Sequence, residues 1–187
     1  MLYVIHRDSL LSHEIRIRSA TSTDIPDIKY LFDNLDNKEE NITQVYDVLM
    51  EKRPDLSCFV ALVRDQVIGT FIVARDVNLP YYKSHFHIQE YVLLKEHEKS
   101  SHTRLILSVI NPIFERATRN ILKEVMRLSN KTCMYFEVHD RTVIPPSIFH
   151  QMIHVRSRRF PHFLKKKWDH ERFDHPVIFI PFHQFNK

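Results

Sequence analysis

The chain contains one glycine, Gly69, among its 187 residues. A chain of this length would ordinarily contain about 13, because glycine usage averages roughly 7%. Phosphate-binding loops need several glycines within one short window, because a Cβ atom would block the approach of backbone amides to the anion. A Walker loop, a dinucleotide-binding loop or a kinase glycine-rich loop cannot be built around Gly69. The sequence therefore argues against nucleotide chemistry of these kinds.

The composition is that of a globular chain that folds without disulfides. Hydrophobic residues make up 43% of the sequence, which is enough for a substantial core. Cys58 and Cys133 both lie in apolar, strand-like runs, so we expect buried free thiols in a reducing compartment. Apolar runs such as 177–182 are far too short to span a membrane, and the N-terminus is a poor signal peptide. We expect a cytoplasmic chain with a single domain over 1–187 and a disordered extension at 1–13.

Apolar periodicity predicts a central sheet with helices around it. Alternating or β-branched runs predict strands at 14–20, 58–63, 67–74, 87–94, 105–110, 132–138 and 177–182. Apolar residues three and four apart predict helices at 25–35, 41–53 and 114–129, and a short helix at 147–153 follows a proline pair. The second and third strands read as a hairpin, and the last strand reads as a sheet edge. This order predicts an α/β fold with a mixed central sheet.

The element order resembles the GNAT acetyltransferase superfamily. The segments that carry the resemblance are 15–21 with 24–28, 59–63 with 67–71, and 108–114. The first pair looks like the opening strand and helix of that fold. The second pair looks like its second and third strands, where Gly69 matches a usual glycine, and the last segment looks like the fourth strand and its exit. The resemblance implies a GNAT-like mixed sheet flanked by helices.

The resemblance also implies an acetyl-CoA site just after the fourth strand, where this chain departs from the family pattern. The family loop carries an Arg or Gln and two spaced glycines, and its amides hold the pyrophosphate. Here the segment 114–119 has no glycine and places Glu115 where the anion would lie. The candidate cofactor-binding residues are Arg116, Ala117, Thr118 and Arg119. The two arginines attract phosphate but cannot replace missing backbone donors, so we expect no cofactor, with acetyl-CoA as the cofactor if the chain is an acyltransferase.

Catalytic and metal-binding residues have little support in the sequence. The family often uses a tyrosine on the short helix after the fifth strand as its proton donor, and this chain has none there. His150 on that helix and His139 after a strand end are the candidates for acid–base work. Among thirteen histidines, His85 and His87 would share one face of a strand, but no HExxH or CxxC spacing is present. We therefore expect no catalytic residue and no metal site.

Positive charge is concentrated near the C-terminus. Residues 154–172 contain seven Lys or Arg against two acidic residues, whereas 1–153 contain 19 basic and 20 acidic residues. We read 154–176 as a basic loop, and basic side chains interleaved with aromatic ones suit an acidic protein surface or single-stranded nucleic acid. A loop that its aromatic residues anchor to the core is an equal alternative. The candidate partner-binding residues are Arg156, Arg158, Arg159, Phe160, Phe163, Lys165, Lys166, Lys167 and Trp168.

Three stretches, 114–128, 132–144 and 158–182, resemble the GNAT-like region of a cilia- and flagella-associated family. Its members are large axonemal proteins of the calmodulin- and spoke-associated complex, at the base of radial spokes in motile cilia and sperm flagella. The resemblance implies that this chain is an isoform or fragment of a longer protein with a structural role in the axoneme.

These observations predict a non-catalytic interaction or scaffold module of the ciliary cytoskeleton, in radial-spoke and axoneme assembly. Its partners would be proteins of a radial-spoke or calmodulin-containing complex, and we expect no membrane partner. The first alternative is an active acetyl-CoA-dependent N-acyltransferase. The second is a nucleic-acid-binding module that uses the basic and aromatic segment 156–168.

Overall fold

Within the residues that the structure describes, seven strands form one mixed sheet in the order β1-β2-β3-β4-β5-β7-β6. The computed structural model describes residues 15–33, 35–50, 52–137, 148, 151–158 and 177–181. The strands are β1 (Arg16–Ser19), β2 (Leu56–Val63), β3 (Gln66–Ala74), β4 (His102–Ile110), β5 (Cys133–Glu137), β6 (Ile153–Val155) and β7 (Val177–Pro181). The pair β4–β5 is parallel, and the other five neighbouring pairs are antiparallel. The predicted mixed sheet is confirmed.

Helices cover both faces of this sheet. They are α1 (Ile25–Leu31), α2 (Lys38–Leu49), α3 (Leu79–His85) and α4 (Thr118–Leu128). The buried side chains of α4 pack against one face, with Phe71 and Phe136 among their neighbours. On the opposite face, α1 and α2 cover β2 and β3, and α3 covers β5 around Tyr135. Successive residues of β5 point to opposite faces of the sheet and belong to the hydrophobic clusters on those faces, as the pleat of a strand requires.

The β2–β3 hairpin is confirmed, and it turns without a glycine. Arg64 and Asp65 have φ values of 49° and 64°. Left-handed backbone at both central residues is the geometry of a type I′ turn, whose twist matches that of the flanking strands. Gly69 lies further along β3, where an added Cβ would come within 3.3 Å of the Val109 carbonyl oxygen. The glycine therefore serves the close packing of β3 on β4.

Several predicted boundaries were wrong because apolar side chains follow helical spacing there. The predicted strand at 87–94 contains a 3-10 turn at Ile88–Glu90, and a second turn follows at Leu94–Glu96. Ile88 and Val92 are both buried. The helix α3 before them was missed. The predicted helix at 41–53 begins and ends earlier, as α2. The predicted helix from 114 begins at Thr118, after a 3-10 helix at Pro112–Ala117.

The C-terminal part of the sheet also differs from the prediction. The strand β7 lies between β5 and β6 and is not an edge, because β6 pairs with its free side. Ile153 was predicted to end a short helix, and His154 was predicted to begin the basic loop, but both belong to β6. Three residues are too few to show a strand period in sequence. Ser147 lies outside the described residues.

Both cysteines are buried free thiols, as predicted. Burial raises the pKa of Cys58 to about 12 and that of Cys133 to about 11, so both stay protonated and unreactive near neutral pH. In the described part of the chain, no helix is long and apolar enough to cross a membrane.

Candidate functional sites

The parallel strands β4 and β5 pair over four residues of each, which is only the first part of β4. His102 to Leu105 lie opposite Cys133 to Phe136, and β4 then continues to Ile110. Just past Leu105, Ile106 is an extra residue against β3, which marks a β-bulge. The carboxyl ends of parallel strands are where α/β folds commonly bind ligands. The turn after β4 is therefore the first candidate site.

The backbone amides of this turn are already occupied. The Ile113 N–H donates to Asn111 Oδ1 at 3.1 Å, and the Phe114 N–H donates to the Asn111 carbonyl at 2.8 Å. Pro112 has no N–H, and the Thr118 N–H donates to the Glu115 carbonyl. A 3-10 helix also uses its inner amides in bonds to the third residue before. The turn thus lacks the converging free donors that a diphosphate requires.

The candidate cofactor-binding residues divide between core and surface. Thr118 is fully buried, and its hydroxyl donates to the Glu115 carbonyl at 2.6 Å. Ala117 packs against the core cluster beneath α4. Arg116 and Arg119 are exposed at the beginning of α4. The structure therefore does not bring the four residues together on one ligand-facing surface.

A polar contact that sequence reasoning missed lies at the end of β5. The Tyr82 hydroxyl donates a hydrogen bond to the Glu137 carboxylate, and Arg104 Nη1 donates to its other oxygen at 3.1 Å. Burial, and then the charge on Glu137, raise the pKa of the Tyr82 phenol well above its usual range. This phenol is a poor proton donor for catalysis, and its contact fixes α3 to β5. Tyr82 and Glu137 lie 55 positions apart, so no local pattern connects them.

Two histidines lie at the other end of the parallel pair. His102 is buried, with Nδ1 3.0 Å from the Tyr135 hydroxyl, and His97 Nδ1 lies 2.8 Å from Thr132 Oγ1. Burial, and then positive charge at His97 and Lys131, lower the pKa of His102 to about 4. Within the described residues, no group of three or more metal-ligating side chains occurs.

The predicted pairing of His85 and His87 on one strand face was wrong. His85 ends α3 and stacks on Tyr81 with 4.2 Å between ring centroids. His87 follows the helix, and its Nδ1 lies 3.0 Å from Glu90 Oε1. The helix end separates the two histidines in structure, because helical spacing replaces the assumed strand.

The second candidate site lies where the chain leaves β6. Phe86 and Ser157 form an antiparallel bridge, the His87 N–H donates to the Arg156 carbonyl at 3.0 Å, and the Arg158 N–H donates to the His85 carbonyl at 2.7 Å. We call the paired segments 85–87 and 156–158 the basic ribbon. An open cleft of about 520 Å³ is lined by His87, Arg156, Ser157 and Arg158.

Most of the other predicted site residues lie outside the described residues. Arg156 and Arg158 are the two described members of the predicted partner-binding set. The remaining members, outside the described part, are Arg159, Phe160, Phe163, Lys165, Lys166, Lys167 and Trp168. The catalytic candidates His139 and His150 also lie outside it.

Comparison with solved structures defines the class of fold. A chimera of the spermidine N-acetyltransferase SpeG from Vibrio cholerae and hSSAT matches with a TM-score of 0.53 and 13% identity, over 94% of this chain and 100% of that one. An acetyltransferase from Thermus thermophilus matches with a TM-score of 0.53 and 13% identity, over 89% and 96%. A GNAT-family protein from Desulfovibrio desulfuricans gives 0.53 and 11%, over 90% and 99%. The chain therefore has the GNAT acetyltransferase fold, as predicted.

Sequence comparison identifies a particular relative. The chain is 43% identical over 171 residues to the cilia- and flagella-associated protein 61 of Tetrahymena thermophila. The match covers 91% of this chain and 10% of that protein, so the chain spans about a tenth of the length of its relative. Over the matched residues the chain is similar to cilia- and flagella-associated protein 61, and the predicted resemblance is confirmed. No family model matches the chain.

Proposed function

We propose that this chain is a non-catalytic GNAT-like interaction module of motile cilia and flagella that works in radial-spoke and axoneme assembly. The relative's name and the extent of the match support the ciliary part of the proposal. The fold supports descent from acyl-transferring proteins. The proposed location is the axonemal cytoskeleton, and the proposed partners are proteins of a radial-spoke or calmodulin-containing complex.

The proposal that the chain is non-catalytic rests on the turn after β4, whose backbone amides are already hydrogen-bonded. Asn111 binds the amides of Ile113 and Phe114, and Glu115 binds that of Thr118. A diphosphate would have to displace these bonds and approach the Glu115 carboxylate. Each of these backbone N–H groups would exchange its present acceptor for a phosphate oxygen. Such an exchange contributes little net free energy to ligand binding. Neither exposed arginine of the turn supplies the missing main-chain donors.

Calorimetric titration with acetyl-CoA tests this proposal. We expect no saturable heat up to about 1 mM acetyl-CoA, which corresponds to a binding free energy weaker than about −4 kcal/mol. The Vibrio spermidine N-acetyltransferase serves as the positive control. Micromolar binding would overturn the proposal if the double variant Arg116→Glu with Arg119→Glu abolishes it and the remote variant Arg16→Glu keeps it.

An active N-acyltransferase is the second candidate, and one observation favours it. Within the described residues, β4 pairs with β5 only up to Leu105 and Phe136, and it continues toward the turn paired with β3 on one side. Arg116 and Arg119 are exposed beside that turn and attract phosphate. Release of free CoA in the presence of a primary amine or polyamine would establish this activity. If no amine tested causes release of CoA, and the same preparation binds no acetyl-CoA, the result would support the interaction module.

The partner is tested by affinity capture from ciliary extract. The matched variant reverses charge at Arg158, Arg159, Lys165, Lys166 and Lys167. We expect the natural chain to enrich radial-spoke or calmodulin-containing assemblies and the variant to lose them. Capture of nucleic acid in place of protein would favour the nucleic-acid alternative. In that case the logarithm of the binding constant should fall linearly with the logarithm of the salt concentration.

A further inference from the structure

We propose that the basic ribbon binds an extended acidic peptide whose carboxylates occupy alternate positions. The inference rests on the proposed function as an interaction module and names the chemistry of its partner. It starts from the antiparallel bridge between Phe86 and Ser157, which pairs the extended backbone at Phe86 with the segment 156–158. Phe86 is buried in the core cluster under α3, so the ribbon has a fixed base.

Strand geometry places the two arginines of the ribbon on one face. Arg156 and Arg158 are two positions apart in extended backbone, so their side chains leave the same side about 6.6 Å apart at the Cα atoms. Phe86 is buried on the opposite face, and its bridge partner Ser157 is exposed and also lines the cleft. Arg156 therefore lies across from His87, and the cleft opens between them.

Neither arginine is neutralised by a carboxylate in the described part of the chain. Arg158 Nε donates to the Phe86 carbonyl at 3.3 Å, which leaves its terminal nitrogens for other acceptors. The nearby acidic residue, Glu90, contacts His87. Arg18 shows the contrast, because it donates twice to Asp24 at 2.7 Å and lowers the pKa of that carboxyl to about 2.

An extended peptide offers the matching arrangement. Its alternate side chains also repeat at about 6.6 Å, so carboxylates at positions i and i+2 align with the two guanidinium groups. Arginine binds carboxylates through paired, charge-assisted hydrogen bonds. Single-stranded nucleic acid is less well matched, because such sites stack bases on aromatic rings and the described lining offers His87 alone. The favoured ligand is therefore an acidic peptide.

Fluorescence anisotropy with two peptides of equal composition tests the inference. One labelled peptide alternates glutamate and serine over eight residues, and the other repeats two glutamates and two serines, so that no two of its glutamates are two positions apart. We expect the alternating peptide to bind roughly tenfold more tightly, because two aligned pairs replace one. The double variant Arg156→Glu with Arg158→Glu should lower its affinity at least about tenfold. The exposed Arg16→Glu on β1 is the single-site control for a remote charge reversal and should bind normally.

The single variant Arg156→Gln guards against misfolding, because Arg156 is exposed and its side chain makes no described contact that the fold needs. We expect it to fold normally by circular dichroism and to bind several-fold more weakly. Equal binding of both peptides, equal loss in Arg16→Glu, or tighter binding of an oligonucleotide would overturn the inference. An acetyl-CoA titration on the same preparation separates the two proposals, because cofactor binding contradicts the non-catalytic function, whereas absent peptide binding contradicts the ribbon site.

Discussion

Two basic regions of this protein place arginines on very different backbone. At the start of α4, Arg116 and Arg119 flank a tight turn whose amides are bound by Asn111 and Glu115. On the basic ribbon, by contrast, arginines at alternate positions of an extended segment line an open cleft. Charge alone therefore does not define an anion site in this fold. The backbone decides whether arginines converge on a diphosphate or align with an extended acidic chain.

The two regions also differ in what holds them. The turn is closed by short-range hydrogen bonds to its own residues. The ribbon depends on long-range contacts, since its two segments lie about seventy positions apart and share the buried Phe86. We therefore expect core substitutions beneath the ribbon to have larger effects than changes within the turn.

The largest expected effect is that of Phe86→Ala, which tests whether the buried Phe86 ring anchors the basic ribbon. Removing this buried ring leaves a cavity and should lower the free energy of unfolding by about 3–4 kcal/mol. Urea denaturation measures the change. Leu93→Ala is the control, because Leu93 is 66% exposed and its loss should stay within about 0.5 kcal/mol. A cost below about 1 kcal/mol at Phe86 would show that the ribbon is not anchored there.

A second prediction concerns His102, whose pKa of about 4 lies below its ordinary value of about 6.5. Between these values the unfolded chain binds more protons, so stability is complete above about pH 6.5 and falls as the pH drops toward 4. The natural protein should lose about 2 kcal/mol more than His102→Gln between about pH 7 and pH 5. Denaturant titrations at both pH values measure this difference. Parallel losses in the two proteins would contradict a buried neutral imidazole.

The smallest expected effect is that of Asn111→Ala, which tests the turn. The side chain of Asn111 caps the following 3-10 helix through the Ile113 amide, so its removal should cost about 1 kcal/mol. Asn111→Asp keeps the acceptor and should restore most of the stability. Thermal unfolding of the three proteins checks the series. Equal stability of Asn111→Ala and the natural chain would mean that this amide is satisfied elsewhere.

The sequence predicted most of the antiparallel half of the sheet because its signals are local. Alternation and β-branched residues marked the hairpin, although its left-handed turn at Arg64 and Asp65 carries no glycine. The helix α3 was missed, although Leu79, Tyr82 and Phe86 recur at helical spacing after Asn78, whose side chain accepts from the Tyr81 amide. That cap and spacing could have identified the helix.

The candidate sites were less predictable because they depend on long-range pairing. The basic character of Arg156 and Arg158 was visible in sequence, but their position opposite His87 was not, since the bridge to Phe86 joins distant segments. The contact of Tyr82 with Glu137 was hidden for the same reason. The lack of a glycine-rich loop after β4 was visible in sequence, because glycine content is a local property, but the hydrogen bonds within that turn were not predicted.

Amide chemical shifts of Ile113, Phe114 and Thr118 during an acetyl-CoA titration test the central claim most directly. These amides already donate to Asn111 and Glu115, so we predict unchanged shifts at about 1 mM ligand. Saturable shifts at these three amides at micromolar ligand would show that the turn still holds a diphosphate and would contradict the account.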